Sequence, residues 1–260
     1  KSARDKFAAI GGKSSSNVKE AVANADCLIL MVVNAEQAGA VLFDEAALDA
    51  IKPGACVVLM STCSPGDVVE LGRKVTERGK FFFDAPVSGG AVGAKAASLS
   101  IMVSGPKAPY GGVRAILEVL GQKIYYLGEV VGHASMAKAI NQLLCGVHLA
   151  AAAEAMSLAE KAGMDAAAAL EIVSGSAAAS WMLCDRGARM LQDEPDVTSA
   201  VDIFVKDLGI VLDAGASAKA ALPLAATAHQ LFLAVTGQGG GGSDDSQVIR
   251  AYRGLAGRLR

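Results

Sequence analysis

CLILMVV, residues 27–33, is a continuous apolar run rich in branched side chains. That composition suits a strand in a parallel sheet covered on both faces. Similar runs follow at residues 55–60 (ACVVLM) and 80–84 (KFFFD). The segments between them, residues 38–51 and 65–78, read as helices, so strand and helix alternate. Pro53-Gly54 marks the turn before the second run, and Ser64-Pro65-Gly66 puts a proline where a helix would begin. Residues 99–104 and 123–127 read as two more strands around a helix over roughly residues 110–120.

From Gly132 onward the period changes. Residues 135–162 can form one helix, about 42 Å long at 1.5 Å per residue, and no strand-like alternation follows. Helices are expected over residues 166–174, 180–191, 201–216 and 223–235, with Gly163 and Gly187 as breaks. The run Gly239 to Gly242, followed by Ser243, Asp244 and Asp245, reads as a mobile loop before a last helix. The fold class predicted is α/β. A doubly wound, Rossmann-type sheet occupies residues 1–130, and an all-α domain that opens on a long interdomain helix occupies residues 131–260.

At 260 residues, 52% hydrophobic and 19% charged, the chain is long and apolar enough to bury a sizeable core. A formal net charge of -2, without a lysine and arginine cluster, argues against a nucleic-acid partner. The alanine-rich stretch over residues 147–169 is interrupted by Glu154, Glu160, Lys161 and Asp165, and reads as a buried helix, not a membrane span. Five cysteines without CxxC spacing are expected to be reduced core thiols, which favours a cytoplasmic protein. His133, His148 and His229 are dispersed and offer no metal-ligand spacing.

Two segments stand out chemically. In GHASMAKAINQ, residues 132–142, Lys138 and Asn141 are three apart and share a helix face. An ammonium and a carboxamide directed into one pocket suit a substrate with a hydroxyl to deprotonate and a carboxylate to hold; taken alone, Lys138 reads more readily as a solvated surface lysine. In DAPVSGG, residues 84–90, a strand delivers Asp84 and Pro86 stiffens its exit. Ser88, Gly89 and Gly90 then leave a hydroxyl and bare backbone amides to face an anion. A tight glycine turn is the plain alternative. The GxGxxG that grips a dinucleotide pyrophosphate is not found, and GGKSSS at residues 11–16 lacks the glycine of a P-loop because Phe7 stands there.

These two segments, with VDIFVKDLGIVLDAG (residues 201–215), occur in the order seen in the beta-hydroxyacid dehydrogenases (the 3-hydroxyisobutyrate dehydrogenase-like superfamily), which the chain resembles over roughly residues 10–250. Within that family MVVNAEQ, SAVDIFVKDLGIVLD and LPLAATAHQLF look most like the L-threonate dehydrogenase group. The resemblance implies an NAD-dependent oxidation of a small hydroxy acid such as L-threonate, with NADP as the other cofactor option. It makes Lys138 the general acid and base. Ser88, Gly89, Gly90, Asn141 and Gln142 bind substrate, while Val33, Asn34, Thr62 and Lys206 line the cofactor, and Asp207 and Trp181 are secondary candidates. Gln142 stands where a second asparagine is frequent in the family. Thr62 reads equally as a helix cap before Pro65; the plain reading of Lys206-Asp207 is a surface charge pair, and Trp181 reads first as a core or interface residue.

The resemblance also implies that the family's first strand, first helix and second strand, which carry GxGxxG, lie outside this sequence, and that the protein assembles as a homodimer or homotetramer. Two other readings stay open. One is a reductase of glyoxylate or succinic semialdehyde on the same fold; the other is a non-catalytic piece of a larger polypeptide.

Overall fold

A computed structural model describes residues 3–255. The chain forms two compact units, one ending at Lys138 and the other beginning at Ala139. The first unit holds, in order, α1 (Ala3–Ala9), α2 (Val18–Val22), β1 (Cys27–Leu30), α3 (Ala35–Gly39), α4 (Ala47–Ala50), β2 (Cys56–Leu59), α5 (Pro65–Glu77) and β3 (Phe81–Asp84). It continues with β4 (Val87–Ser88), α6 (Gly90–Lys95), β5 (Leu99–Val103), α7 (Lys107–Leu120) and β6 (Gly121–Tyr126). Helix α8 (His133–Lys161) begins in this unit and runs on into the next.

Strands β1, β2 and β3 are parallel in that order, as strand-helix alternation requires. Alternate residues of the central strands feed opposite faces. Val57, Leu59 and Phe82 pack with Val68, Leu71 and Val75 of α5 on one side. On the other, Val58 and Phe83 pack with Ile101, Val103, Val113 and Leu117 of β5 and α7. Full burial of each such side chain contributes about 1.5–3 kcal/mol, so the two-sided cover stabilises the apolar runs as strands. A single antiparallel bridge, Asp84 with Ser104, joins β3 to the end of β5; β6 lies parallel to β5, and β4 antiparallel to it.

The run CLILMVV is strand only as far as Leu30. Met60 N–H donates to the Leu30 carbonyl at 2.9 Å, and the next donor, Val32 N–H, goes to the Ser61 hydroxyl at 2.8 Å instead of to strand backbone. The helix expected over residues 38–51 is broken. A wide π-type turn over Ala40–Asp44 follows α3, and Ala46 takes φ +52 before α4. The bend lets Leu42 and Leu48 reach the sheet-facing core while Ala47 and Ile51 fill a separate cluster with Val22 and Ala55.

The second unit is helical: the body of α8, then α9 (Ala166–Ser174), α10 (Trp181–Met190), α11 (Val201–Ser217), α12 (Pro223–Val235) and α13 (Ile249–Leu255). Its core sets Leu149, Ala153 and Met156 of α8 against Leu208 and Phe232, and the Phe204 and Phe232 rings stack at 5.0 Å. Helix α8 is long and apolar enough by length and composition to cross a membrane, but half of that window is buried inside the protein, as for a core helix. Gly163 ends α8 with φ +73. Gly187, expected as a break, lies inside α10. A Cβ there would come within 2.3 Å of Leu170 Cδ1, so the glycine serves close helix packing.

The stretch read as a mobile loop is bonded throughout to the start of α11. Val201 N–H donates to Ser243 O at 2.9 Å, Asp202 N–H to Gly241 O at 3.0 Å, and Asp245 N–H to Ser199 O at 2.7 Å. Beneath it the buried carboxylates of Asp244 and Asp245 accept from Arg189 Nε (3.1 Å) and Arg186 Nε (2.8 Å). Thr198 adds its N–H and hydroxyl to Asp244. Burial pushes the Asp244 carboxyl up, but donors from Ser246 and Thr198 and the Arg189 charge outweigh it, and its pKa falls to about 2. Composition read this run as a mobile loop and missed these anchors, because paired charges from distant elements leave no local pattern.

Candidate active site

In the first unit the candidates cluster at strand exits. After β1, Asn34 caps α3: its side-chain oxygen accepts from Gln37 N–H at 2.9 Å while Gln37 Oε1 accepts from Val33 N–H at 3.0 Å. This reciprocal capping fixes the turn and leaves the Val33 side chain 50% exposed. After β2, the cap of α5 is Ser64, whose hydroxyl accepts from Asp67 N–H at 3.2 Å. Thr62 is therefore not that cap, and it sits half-buried beside the buried Ser61.

The turn after β3 takes the shape its glycines demand. Ser88 pairs with Ser100 across β4 and β5. Gly89 then adopts φ +123 and Gly90 φ +61, a backbone that side-chain-bearing residues rarely enter. Two successive glycines in this region leave their N–H groups unshielded next to the Ser88 hydroxyl, an arrangement suited to a carboxylate.

Asp84 lies four residues upstream and is fully buried. Its carboxylate accepts from Ser135 N–H (2.8 Å) and Ser135 Oγ–H (2.7 Å), from Gly132 N–H (3.2 Å) and from Ser104 Oγ–H (3.4 Å). Burial raises its pKa above the ordinary value, opposed by the Ser135, Gly132 and Ser104 donors. The first N–H groups of α8 thus find side-chain acceptors, as a buried helix end requires. Lys138, one turn further along α8, is 6% exposed and not the solvated lysine that its charge alone would suggest.

In the second unit, Asn141 and Gln142 continue α8. The Asn141 amide donates to Gln142 Oε1 at 2.8 Å, and the Gln142 amide donates to Asp207 Oδ2 at 2.5 Å. Lys206 pairs with Asp207 Oδ1 at 2.7 Å. Asp207 is 3% exposed, so Lys206-Asp207 is not a surface charge pair. The four polar residues form a chain across α8 and α11. Trp181 is 63% exposed at the start of α10, with the Arg186 guanidinium 5.8 Å from its ring centre, and is not a core residue.

Sequence reasoning did not single out a role for Asp84, Ser104, Ser135 or the Arg186, Arg189, Asp244 and Asp245 group. An aspartate closing an apolar strand was a usable signal for the first; the serines carried none. A hollow lined by Gly239, Gly242, Ser243, Asp244, Gln247 and Arg250 lies on the glycine-rich turn, and none of the candidate residues lines it. No group of three or more His, Cys, Asp or Glu able to hold a metal occurs among the described residues.

Two family models match the chain. One is described as the NAD binding domain of 6-phosphogluconate dehydrogenase, over residues 1–128, and the other as NAD-binding of NADP-dependent 3-hydroxyisobutyrate dehydrogenase, over residues 132–252. The chain is 43% identical over 251 residues to an L-threonate dehydrogenase of Cupriavidus necator, covering 96% of this chain and 84% of that protein. The chain belongs to the beta-hydroxyacid dehydrogenase family.

An L-threonate dehydrogenase of Haemophilus influenzae is 38% identical over 256 residues, covering 98% of this chain and 85% of that protein. A crystal structure of 3-hydroxyisobutyrate dehydrogenase from Salmonella typhimurium superposes with a TM-score of 0.90 at 38% identity, covering 95% of this chain and 87% of that one. As a beta-hydroxyacid dehydrogenase the chain is an oxidoreductase that uses NAD(P), and the α/β unit followed by a helical unit is the family's architecture. The described residues fit part of that cofactor. The exits of β1 and β2 present a half-exposed apolar Val33 and a half-buried hydroxyl, Thr62, which suit a nicotinamide riboside. The turns after β1 and β2, VVNA and STCSPGD, lack the paired glycines a pyrophosphate needs.

Proposed function

We propose that this dehydrogenase oxidises a small hydroxy acid, a four-carbon sugar acid such as L-threonate, with Lys138 as general acid and base. The observation that carries the reading is a lysine held out of solvent on α8, with Asn141 and Gln142 three and four residues on. It is supported by the identity to relatives named L-threonate dehydrogenase.

NAD(P) supplies the acceptor for the hydride that leaves the carbinol carbon. Lys138, in its neutral form, takes the hydroxyl proton as the C=O bond forms; in reduction the same ammonium returns it to the developing alkoxide. The Ser88 hydroxyl and the Gly89 and Gly90 amides hold the substrate carboxylate, and Asn141 and Gln142 orient the hydroxyl-bearing carbons. Val33, Asn34, Thr62 and Lys206 line the cofactor, with Asp207 holding the Lys206 ammonium in place. Trp181, exposed beside Arg186, borders the substrate side.

The protein is placed in the cytoplasm, in keeping with five free cysteines. It is read as a homodimer or homotetramer, in keeping with Ile140, Leu144 and Leu158, which stand 59%, 48% and 69% exposed along α8. The test of substrate is NAD- or NADP-linked oxidation across a panel of L-threonate, glycerate, 3-hydroxyisobutyrate and neutral polyols. L-threonate should give the highest kcat/KM and the polyols none. Equal turnover of acids and neutral polyols would sink the assignment of Ser88, Gly89 and Gly90.

A further inference from the structure

We infer that Asp84 is a positioning residue for Lys138: its buried carboxylate sets the rotation of α8 and fixes the lysine relative to the Ser88-Gly89-Gly90 turn. The inference rests on the proposed function, since it gives Lys138 and that turn their roles. Its physical content is a junction of three elements. The backbones of Asp84 and Ser104 exchange hydrogen bonds at 2.9 and 2.8 Å, locking the end of β3 to the end of β5. Their side chains together take the N–H groups of Gly132, Ala134 and Ser135, with Ala134 donating to Ser104 Oγ at 3.2 Å.

A helix capped only at its N–H groups could still turn about its axis. The bond from Ser135 Oγ to Asp84 at 2.7 Å removes that freedom, because it needs the Ser135 side chain itself to face β3. Lys138 is three residues on and therefore shares the Ser135 face. The exposures agree, at 2% for Ser135 and 6% for Lys138. A slip of one residue would rotate that face by about 100° and carry the lysine away. Asp84 also leads, through Ala85 to Val87, into the Ser88 turn, so one residue sets both the lysine-bearing helix and the proposed carboxylate cradle.

Trace acetylation of the full chain, with Lys138 followed by peptide mass spectrometry, tests this without needing turnover. In Asp84→Ala, Lys138 should acetylate about tenfold faster, with faster amide exchange over residues 132–136, as the first turn of α8 opens locally. Asp84→Asn keeps an acceptor for the Ser135 N–H and should stay within about threefold of wild type. Ser135→Ala, which removes only the hydroxyl arm and is expected to fold, should fall between the two. In turnover, Asp84→Ala should lose about 100-fold in kcat with a smaller change in KM, the loss expected from ångström-scale misplacement, and Asp84→Asn should recover most of it.

Unchanged Lys138 labelling in both Asp84→Ala and Ser135→Ala would overturn the inference. So would an unchanged kcat in Asp84→Ala. Full activity in Lys138→Met would instead overturn the function on which the inference rests. That failure is recognisable because labelling would still respond to Asp84→Ala.

Discussion

The Gln142 side-chain amide donates to the Asp207 carboxylate at 2.5 Å, tying the body of α8 to α11 through two residues each less than a tenth exposed. Lys206 completes the contact from the other carboxylate oxygen at 2.7 Å. Removing Asp207 takes one acceptor from a buried amide and from a partly buried ammonium, and losing one partner of such a contact costs more than the pair itself contributes. Asp207→Ala should therefore destabilise the protein by about 2–4 kcal/mol, and Asp207→Asn by about 1, read from urea unfolding. An Asp207→Ala variant as stable as wild type would show that the chain Asn141, Gln142, Asp207 and Lys206 contributes nothing to holding α8.

Gly146 tests how closely the same two helices pack. A Cβ there would lie 2.8 Å from Leu208 Cδ2, and Leu208 is fully buried. Alanine gains up to about 1 kcal/mol of helix propensity over glycine, while overpacking costs about 1–3. Overpacking wins in a core without room, so Gly146→Ala should be mildly destabilising and Gly146→Val clearly so. Differential scanning calorimetry of the pair checks the order, and a Gly146→Ala protein that melts above wild type would mean that Leu208 yields at no cost.

Asp244 gives a pH dependence with a definite sign. Its carboxyl is depressed to about 2 in the folded chain, so the stability it contributes is present above the ordinary aspartate range and is lost as pH falls from about 4 towards 2. Two units of depression correspond to about 2–3 kcal/mol at neutral pH. The neighbouring Asp245 is shifted the opposite way by burial, so the whole protein's pH profile mixes the two. The difference between wild type and Asp244→Asn isolates the term. It should be about 2–3 kcal/mol at pH 6 and close to zero at pH 2, and a difference independent of pH would contradict it.

Ser88 should affect binding rather than folding. It is half-buried, and its proposed partner is the substrate. Ser88→Ala is expected to raise KM for L-threonate about tenfold, the loss of one charge-assisted hydrogen bond, with little change in melting temperature. A lower melting temperature with KM unchanged would reassign the hydroxyl to the β4 turn.

Much of this was legible before any coordinates, and the reason is local periodicity. Cys56–Leu59 and Phe81–Phe83 are apolar on consecutive residues because both sheet faces are covered, and α9 and α12 begin and end on the residues their caps and periods indicated. The motifs GHASMAKAINQ and DAPVSGG supplied the candidate residues for the same reason, as each is a short run with its own logic. Contacts between distant residues were not legible. Ser135 reads as any helix serine until Asp84, 51 positions earlier, is found against it. Asp244 and Asp245 read as loop polarity until Arg186 and Arg189 lie beneath them. The break at Ala46 was likewise invisible, since only the need to fill two separate clusters bends that segment.

The most direct test of the account is the kcat/KM of Lys138→Met for L-threonate with NAD or NADP, beside its melting temperature. Methionine keeps the buried apolar stem and deletes only the ammonium, so the fold should hold. General acid-base catalysis is worth about 100- to 10,000-fold, and a loss of that size in kcat with melting unchanged is the predicted result. Wild-type turnover by Lys138→Met would contradict the central claim that this lysine moves the proton.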